Sequence, residues 1–113
     1  MSTVAERLAG VRATLPEGVR LVAVSKFHAA DVVREAYDAG QRVFGESRVQ
    51  ELVAKQPLLP SDIEWHFIGS LQTNKVKYIA PFIHTIQSID SLRLLAEVDR
   101  AAERVGRRIR VLI

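Results

Sequence analysis

The sequence predicts an α/β fold in which parallel strands are joined by helices. Three observations carry this expectation. Apolar runs of strand length alternate with segments of helical period along the whole chain. Most of the helical segments open on capping residues or close on glycine or proline. Strands such as 21–24 and 82–86 are apolar on both faces or nearly so, as a parallel sheet covered by helices requires.

Each element has its own local reason. Thr3 and Glu6 make a capping box, Val4, Leu8, Val11 and Leu15 follow at helical spacing, and Pro16 and Gly18 close that helix. Residues 20–25, "RLVAVS", read as the first strand. Residues 31–39 read as a helix ending at Gly40, a C-cap residue. "RVFG" is the second strand, and Ser47 with Gln50 forms a second capping box for a helix running to Lys55. "QPLLPSD", with two prolines, is a loop. "IEWHFIG" is the third strand, and "LQTNKVKYIA" is a short helix that Pro81 stops. "FIHTIQS" is the fourth strand. Asp90 caps a long helix carrying Leu94, Leu95, Val98 and Ala102, which ends at Gly106, and "RIRVLI" is the final strand.

The order is one helix, four strand–helix units and a last strand. Two architectures suit it: an open doubly wound sheet, or part of a (β/α)8 barrel. A complete barrel takes about 200–250 residues, and these 113 supply five strands. The chain stops on an apolar strand without a covering helix. The expectation is therefore the N-terminal part, about five strands, of a TIM-type barrel, with residues 1–113 forming one incomplete domain.

Composition narrows the function classes. Hydrophobic residues make up 48% and charged residues 26%, an ordinary globular balance, with a net charge of +3. Arg100, Arg104, Arg107, Arg108 and Arg110 form the densest basic run. No aromatic residue interleaves with them, so they read as a solvated face, and nucleic acid is not an expected partner. The absence of cysteine excludes disulfides, thiolate metal sites and a cysteine nucleophile. Charges interrupt the apolar pattern of "MSTVAERLAGVRATL", which makes neither a signal peptide nor a membrane span. A cytoplasmic protein that does not engage a membrane is expected.

In parallel α/β proteins functional groups gather at the C-terminal ends of strands. Lys26 sits at such an end, and the two-residue period puts it on one face with Val22 and Val24. If that face lines a barrel, its amine reaches the mouth, where desolvation disfavours the ammonium form. A lysine so placed is a nucleophile toward aldehydes. Position alone favours a solvated strand-end lysine over a chemical group. Ser47 caps the helix that follows the second strand, a role that needs no ligand. His66 and Ile68 share one face of the third strand, with Trp65 and Phe67 on the other. His66 reads either as a hydrogen-bonded core residue or as a group that orients a flat ligand. No metal site is expected. "GSLQTNK" lacks the glycine before lysine that a P-loop needs. Ser88 ends the fourth strand near the same mouth.

"LVAVSK", "FGESRVQE", "WHFIGSLQTNKVK" and "IQSIDSLRLL" together resemble, in order and spacing, the pyridoxal phosphate homeostasis protein family over essentially the whole chain. The resemblance implies the barrel of alanine racemase-like, fold-type III proteins that bind pyridoxal 5′-phosphate (PLP). It places Lys26 on the family's lysine that holds the cofactor as a Schiff base. The candidate cofactor-binding set is Lys26, Ser47, His66, Ile68 and Ser88. The resemblance also implies a cytosolic role in vitamin B6 supply, without established turnover. Two positions depart from the family pattern: Ser47 stands where asparagine is usual, and Ala29 where proline is common. The family's phosphate-binding serine and glycine residues lie in loops after later strands, beyond Ile113. The full-length protein is expected to be a monomer. The 113-residue chain alone is expected to bind PLP weakly and to self-associate or to need a C-terminal remainder. The alternatives are a racemase-type enzyme acting on amino acids, which needs a second acid–base group across from Lys26, and an interaction fragment using its open sheet edges.

Overall fold

A computed structural model describes residues 3–113. Five parallel strands, β1 (Ala23–Val24), β2 (Val43–Glu46), β3 (Glu64–Phe67), β4 (Thr85–Ile86) and β5 (Arg110–Val111), form one sheet whose spatial order is the order of the chain. A doubly wound sheet reverses its strand order at a switch point, and no reversal occurs here. Right-handed crossovers between strands that follow one another in a constant direction place every connecting helix on the same face. This is the arrangement of a barrel wall.

The helices are α1 (Val4–Ala13), α2 (Ala30–Asp38), α3 (Val49–Lys55), α4 (Val76–Ile79) and α5 (Leu92–Val105), with 3₁₀ turns at Gln56–Leu58 and Thr73–Lys75. On the sheet face they cover, Phe44 lies opposite Trp65 and Phe67 opposite Ile86. These side chains are buried with Leu52, Val76, Ile79, Leu94 and Val98. Phe44 and Trp65 contact with ring centroids 5.9 Å apart, a separation typical of packed aromatic pairs. The other face carries Val24, Gly45, His66, Thr85 and Arg110, one beside the next by register. Val24 on that face remains 51% exposed, so the hydrophobic core lies on the helix side.

Local differences from the sequence reading have physical causes. The first strand pairs over two residues rather than six, because it is an edge strand and Gln41 intervenes. The Gln41 amide donates to the carbonyls of Leu21 (2.7 Å) and Val43 (2.8 Å), bridging the two chains where backbone pairing was expected. Thr3 does cap α1, accepting from the Glu6 amide at 3.1 Å. The capping box expected from Ser47 and Gln50 does not form. The N-cap of α3 is Arg48, which makes no side-chain cap bond, because Ser47 is drawn against Gly69 and the helix starts one residue later. Asp90 likewise yields the cap of α5 to Ser91, whose hydroxyl accepts from the Leu94 amide at 3.1 Å. Gly106 ends α5 at φ 67°, a left-handed conformation that glycine adopts without steric penalty.

Candidate functional site

The mouth of the sheet is built from the residues that leave the C-terminal ends of β1 to β4. The first strand hands over to a four-residue turn, Ser25–Lys26–Phe27–His28, closed by the His28 amide donating to the Ser25 carbonyl at 3.1 Å. Phe27 in this turn has φ 65°, the positive-φ pattern of a type II turn, which normally calls for glycine or asparagine at that place. Lys26 is exposed, so the desolvation expected at a closed mouth is absent from these described residues. Its amine lies 6.0 Å from the Phe27 ring centroid and, among the described residues, has no hydrogen bond or ion pair.

The ends of the next three strands are knitted together. Gly69 packs so closely on the Ser47 backbone that a Cβ there would stand 2.8 Å from Ser47 Cα. The Ser88 hydroxyl donates to the Gly69 carbonyl. The ladder continues past the strands through Ile68 N–H to the Glu46 carbonyl (2.8 Å) and Gln87 N–H to the Phe67 carbonyl (2.9 Å). Ile68 and Val22 close over Gly45, where a Cβ would meet their side chains at 3.1–3.3 Å. Gly45 thus lets the neighbouring side chains of the open face meet. Beside the mouth, Ser47, Arg48, Val49, Gln50, Ser70, Gln72 and Lys75 line a shallow groove, with two cations among them.

His66 is held deeper on the same face. Gln87 Nε2, a donor, faces His66 Nδ1 at 2.9 Å, which leaves the ring proton on Nε2, facing Glu64 at 2.8 Å. His84 stacks on it, centroids 5.6 Å apart and planes 3° from parallel. His84 Nε2 reaches Glu64 at 3.3 Å, and Arg20 reaches it at 2.8 Å. Burial alone would raise the Glu64 pKa. Hydrogen bonds from His66 and Arg20 outweigh it and hold the carboxyl below its usual range. Burial pushes His84 down against the pull of Glu64. Ligating atoms of Glu64, His66 and His84 lie within 4.8 Å of one another, a proximity between β3 and β4 that residue spacing did not disclose. Arg20 already occupies Glu64, so the trio is built as a hydrogen-bonded hub around a carboxylate.

A second group went unread in the sequence. Glu46 is fully buried, and Lys55 is buried beside it. The Lys55 ammonium donates to three oxygens: Ser25 O (2.7 Å), Glu46 Oε2 (3.0 Å) and Glu51 Oε1 (2.8 Å). The Ser25 hydroxyl also donates to Glu46 Oε2, and the Phe27 amide donates to Glu51 Oε1. Glu51 is held below the usual carboxylate range, chiefly by the bond from Lys55. The available signal was the two-residue period of β2, which puts Glu46 on the same helix-covered face as the core residue Phe44.

Fold and mouth define a class: parallel α/β chains that present an unpaired amine at a strand end. The sequence model described as "Alanine racemase, N-terminal domain" matches residues 1–113. The pyridoxal phosphate homeostasis protein of Schizosaccharomyces pombe is 44% identical over 110 residues, covering 91% of this chain and 46% of that protein. The protein of that name from Escherichia coli K12 is 41% identical, covering 88% and 48%. Among solved structures, PipY of Synechococcus elongatus PCC7942 with PLP bound matches with TM-score 0.91 and 48% identity, over 96% of this chain and 52% of that one. Alanine racemase from E. faecalis, at 15% identity and TM-score 0.72, shares the fold. The chain belongs to the alanine racemase N-terminal domain family, and the curated relatives it matches are named pyridoxal phosphate homeostasis proteins. It spans about half the length of the curated relatives it matches. No described helix is long and apolar enough to cross a membrane.

Proposed function

We propose that this chain carries the covalent attachment point of a PLP-binding protein that takes part in vitamin B6 homeostasis, and that Lys26 is that point. One observation carries the reading: Lys26 presents at a strand end an amine that makes no hydrogen bond or ion pair among the described residues, in a chain 48% identical to a protein whose solved structure holds PLP. The residues fit the group. An aldehyde needs an accessible primary amine, and Lys26 is exposed on the turn that follows β1. On the open face of the sheet Ile68 packs over Gly45, and His66 stands beside Gly45 by register. Ser47 and Ser88 follow the ends of β2 and β4, Ser47 lining the groove beside the mouth and Ser88 donating to the Gly69 carbonyl. PLP when bound supplies an electrophilic aldehyde and a phosphate anion. The chain's contribution is the amine.

The reading includes no turnover. Glu46 and Glu51, the carboxylates nearest the Lys26 turn, are both tied to Lys55, which leaves neither placed as an acid or base at the mouth. Because the relatives are about twice as long, residues 1–113 are read as part of a barrel domain whose further strands cover the face that exposes Val24. A cytoplasmic, monomeric whole protein completes the reading, and the lack of cysteine fits a reducing compartment. The test is borohydride reduction of the full chain loaded with PLP, followed by peptide mapping. A pyridoxyl group on the peptide containing Lys26 is expected, and label confined to Lys75 or Lys77 sinks the assignment.

A further inference from the structure

We propose that Glu51, anchored through Lys55 to buried Glu46, is a latch that fixes the Lys26–Phe27 peptide and thereby aims the Lys26 amine. This rests on the reading of Lys26 as the attachment point. The argument begins with the turn. A turn of type I and a turn of type II differ by a flip of the central peptide, and the flip changes the sign of φ at the third residue. Here the central peptide joins Lys26 to Phe27, and the third residue is Phe27 at φ 65°. A bulky residue disfavours that conformation. Left to residue preference, the peptide would turn over to the type I form, and the backbone that carries Lys26 would rotate with it.

The opposing force is visible. The N–H of that central peptide donates to Glu51 Oε1. Glu51 is itself fixed by Lys55 at 2.8 Å, and Lys55 is fixed by Glu46 at 3.0 Å. Lys55 also binds the Ser25 carbonyl, the first residue of the turn, at 2.7 Å. Both ends of the turn's defining geometry are therefore held by one ammonium and one carboxylate, on the helix side of the sheet, away from the mouth. Uncommon backbone conformations that persist because their surroundings hold them cluster at functional sites. The step served is simple. Lys26 Nζ, as the neutral amine, forms a C=N bond to the aldehyde carbon, and its two hydrogens leave with the aldehyde oxygen as water. Attack needs the nitrogen aligned with the carbonyl, and alignment contributes directly to the rate.

The experiment uses the full chain and three variants: Glu51→Ala, Glu51→Gln, and Glu51→Ala combined with Phe27→Gly. Labelling of Lys26 by PLP is quenched with borohydride at timed intervals, and hydrogen exchange of residue 27's amide is followed without cofactor. For Glu51→Ala, exchange at Phe27 should quicken and the labelling rate at saturating PLP should fall by about fivefold to tenfold, the weight of one lost hydrogen bond. The half-saturating PLP concentration should stay within about twofold, since Glu51 lies on the helix side of the sheet, away from the mouth. Glu51→Gln keeps an acceptor oxygen and should recover most of the rate. The double variant is the discriminating arm. Glycine adopts positive φ without the latch, so the rate should return although no hydrogen bond does. A merely stabilising Glu51 predicts no such rescue. If Glu51→Ala does not fold, Lys55→Arg tests the same latch by displacing the Ser25 and Glu51 contacts. An unchanged labelling rate in a folded Glu51→Ala chain, or no rescue by glycine, overturns the latch. Failure of the wild-type chain to label at Lys26 overturns the proposed function instead, and exchange at Phe27 still decides the latch.

Discussion

Replacing Gly69 by alanine should separate the two strand ends that form the mouth. The added Cβ would stand 2.8 Å from both Cα and Cβ of Ser47, and closer still to the Ser47 carbonyl oxygen. Favourable carbon–carbon contact lies near about 3.5–4.0 Å, so the two segments must part by about 1 Å. The obstacle is largely backbone, which cannot swing aside as a flexible side chain would. Overpacking of this kind costs about 1–3 kcal/mol. Strain on the adjoining Ile68 N–H···O=C Glu46 bond, 2.8 Å in the structure, adds about 1 kcal/mol. The expected loss is therefore about 2–4 kcal/mol. Urea unfolding of the full chain measures it as a lowered midpoint with unchanged slope. Gly10→Ala is the control. Gly10 lies in α1 with no heavy atom near its missing Cβ, and the same substitution should there stabilise by about 0.5–1 kcal/mol. A Gly69→Ala chain as stable as wild type would refute the close approach of β2 and β3 ends.

Other perturbations test the remaining parts. Lys55→Met should destabilise by about 3–5 kcal/mol, because it leaves the Glu46 carboxylate buried without its cation, and combining it with Glu46→Gln should recover much of that loss in the same urea assay. Lys26→Ala should change stability by less than about 1 kcal/mol, since the side chain removed is exposed and makes no hydrogen bond or ion pair among the described residues, while abolishing the reducible PLP label. Stability should fall as pH drops from about 6.5 through the lower pKa of folded His84, because within that window the unfolded chain binds more protons. Glu64, His66, Arg20 and Arg110 face that ring. Glu64, held below its usual 4.5, adds a second loss as pH falls through its own folded value. His84→Gln should flatten the first decline and leave the second, as read from denaturation midpoints across pH.

Much of the architecture was legible because its causes are short-ranged. Helical and strand periods, the Thr3 cap and the Gly106 stop each depend on residues within a turn or two of one another, so their order along the chain could be read directly. The lysine at the end of the first strand was legible for the same reason, since strand ends are punctuated locally. Caps beyond that were misplaced by one residue at Ser47 and Asp90. In the first case a distant contact, Ser47 on Gly69, overrode a local preference. Gly69 itself shows the limit of sequence reading: a glycine there suits a turn, a phosphate loop or a tight packing site equally well. Only the neighbouring strand decides for packing.

The charged residues divide in the same way. Lys26 and Lys55 are chemically identical, and sequence marks one as a strand end and the other as a helix end. Folding leaves the first exposed and buries the second between Ser25, Glu46 and Glu51. Its partners lie 30, nine and four positions away, and a period-based reading sees only the last. Burial of a charge is decided by whether partners arrive from elsewhere to replace water, and strand pairing delivers them. The same pairing brings His84 onto His66 and Glu64. Local periodicity therefore determined which elements form and where the exposed strand-end amine of Lys26 falls. The tertiary structure alone decided how the backbone beneath that amine is held, because the holding groups meet only when the strands lie side by side.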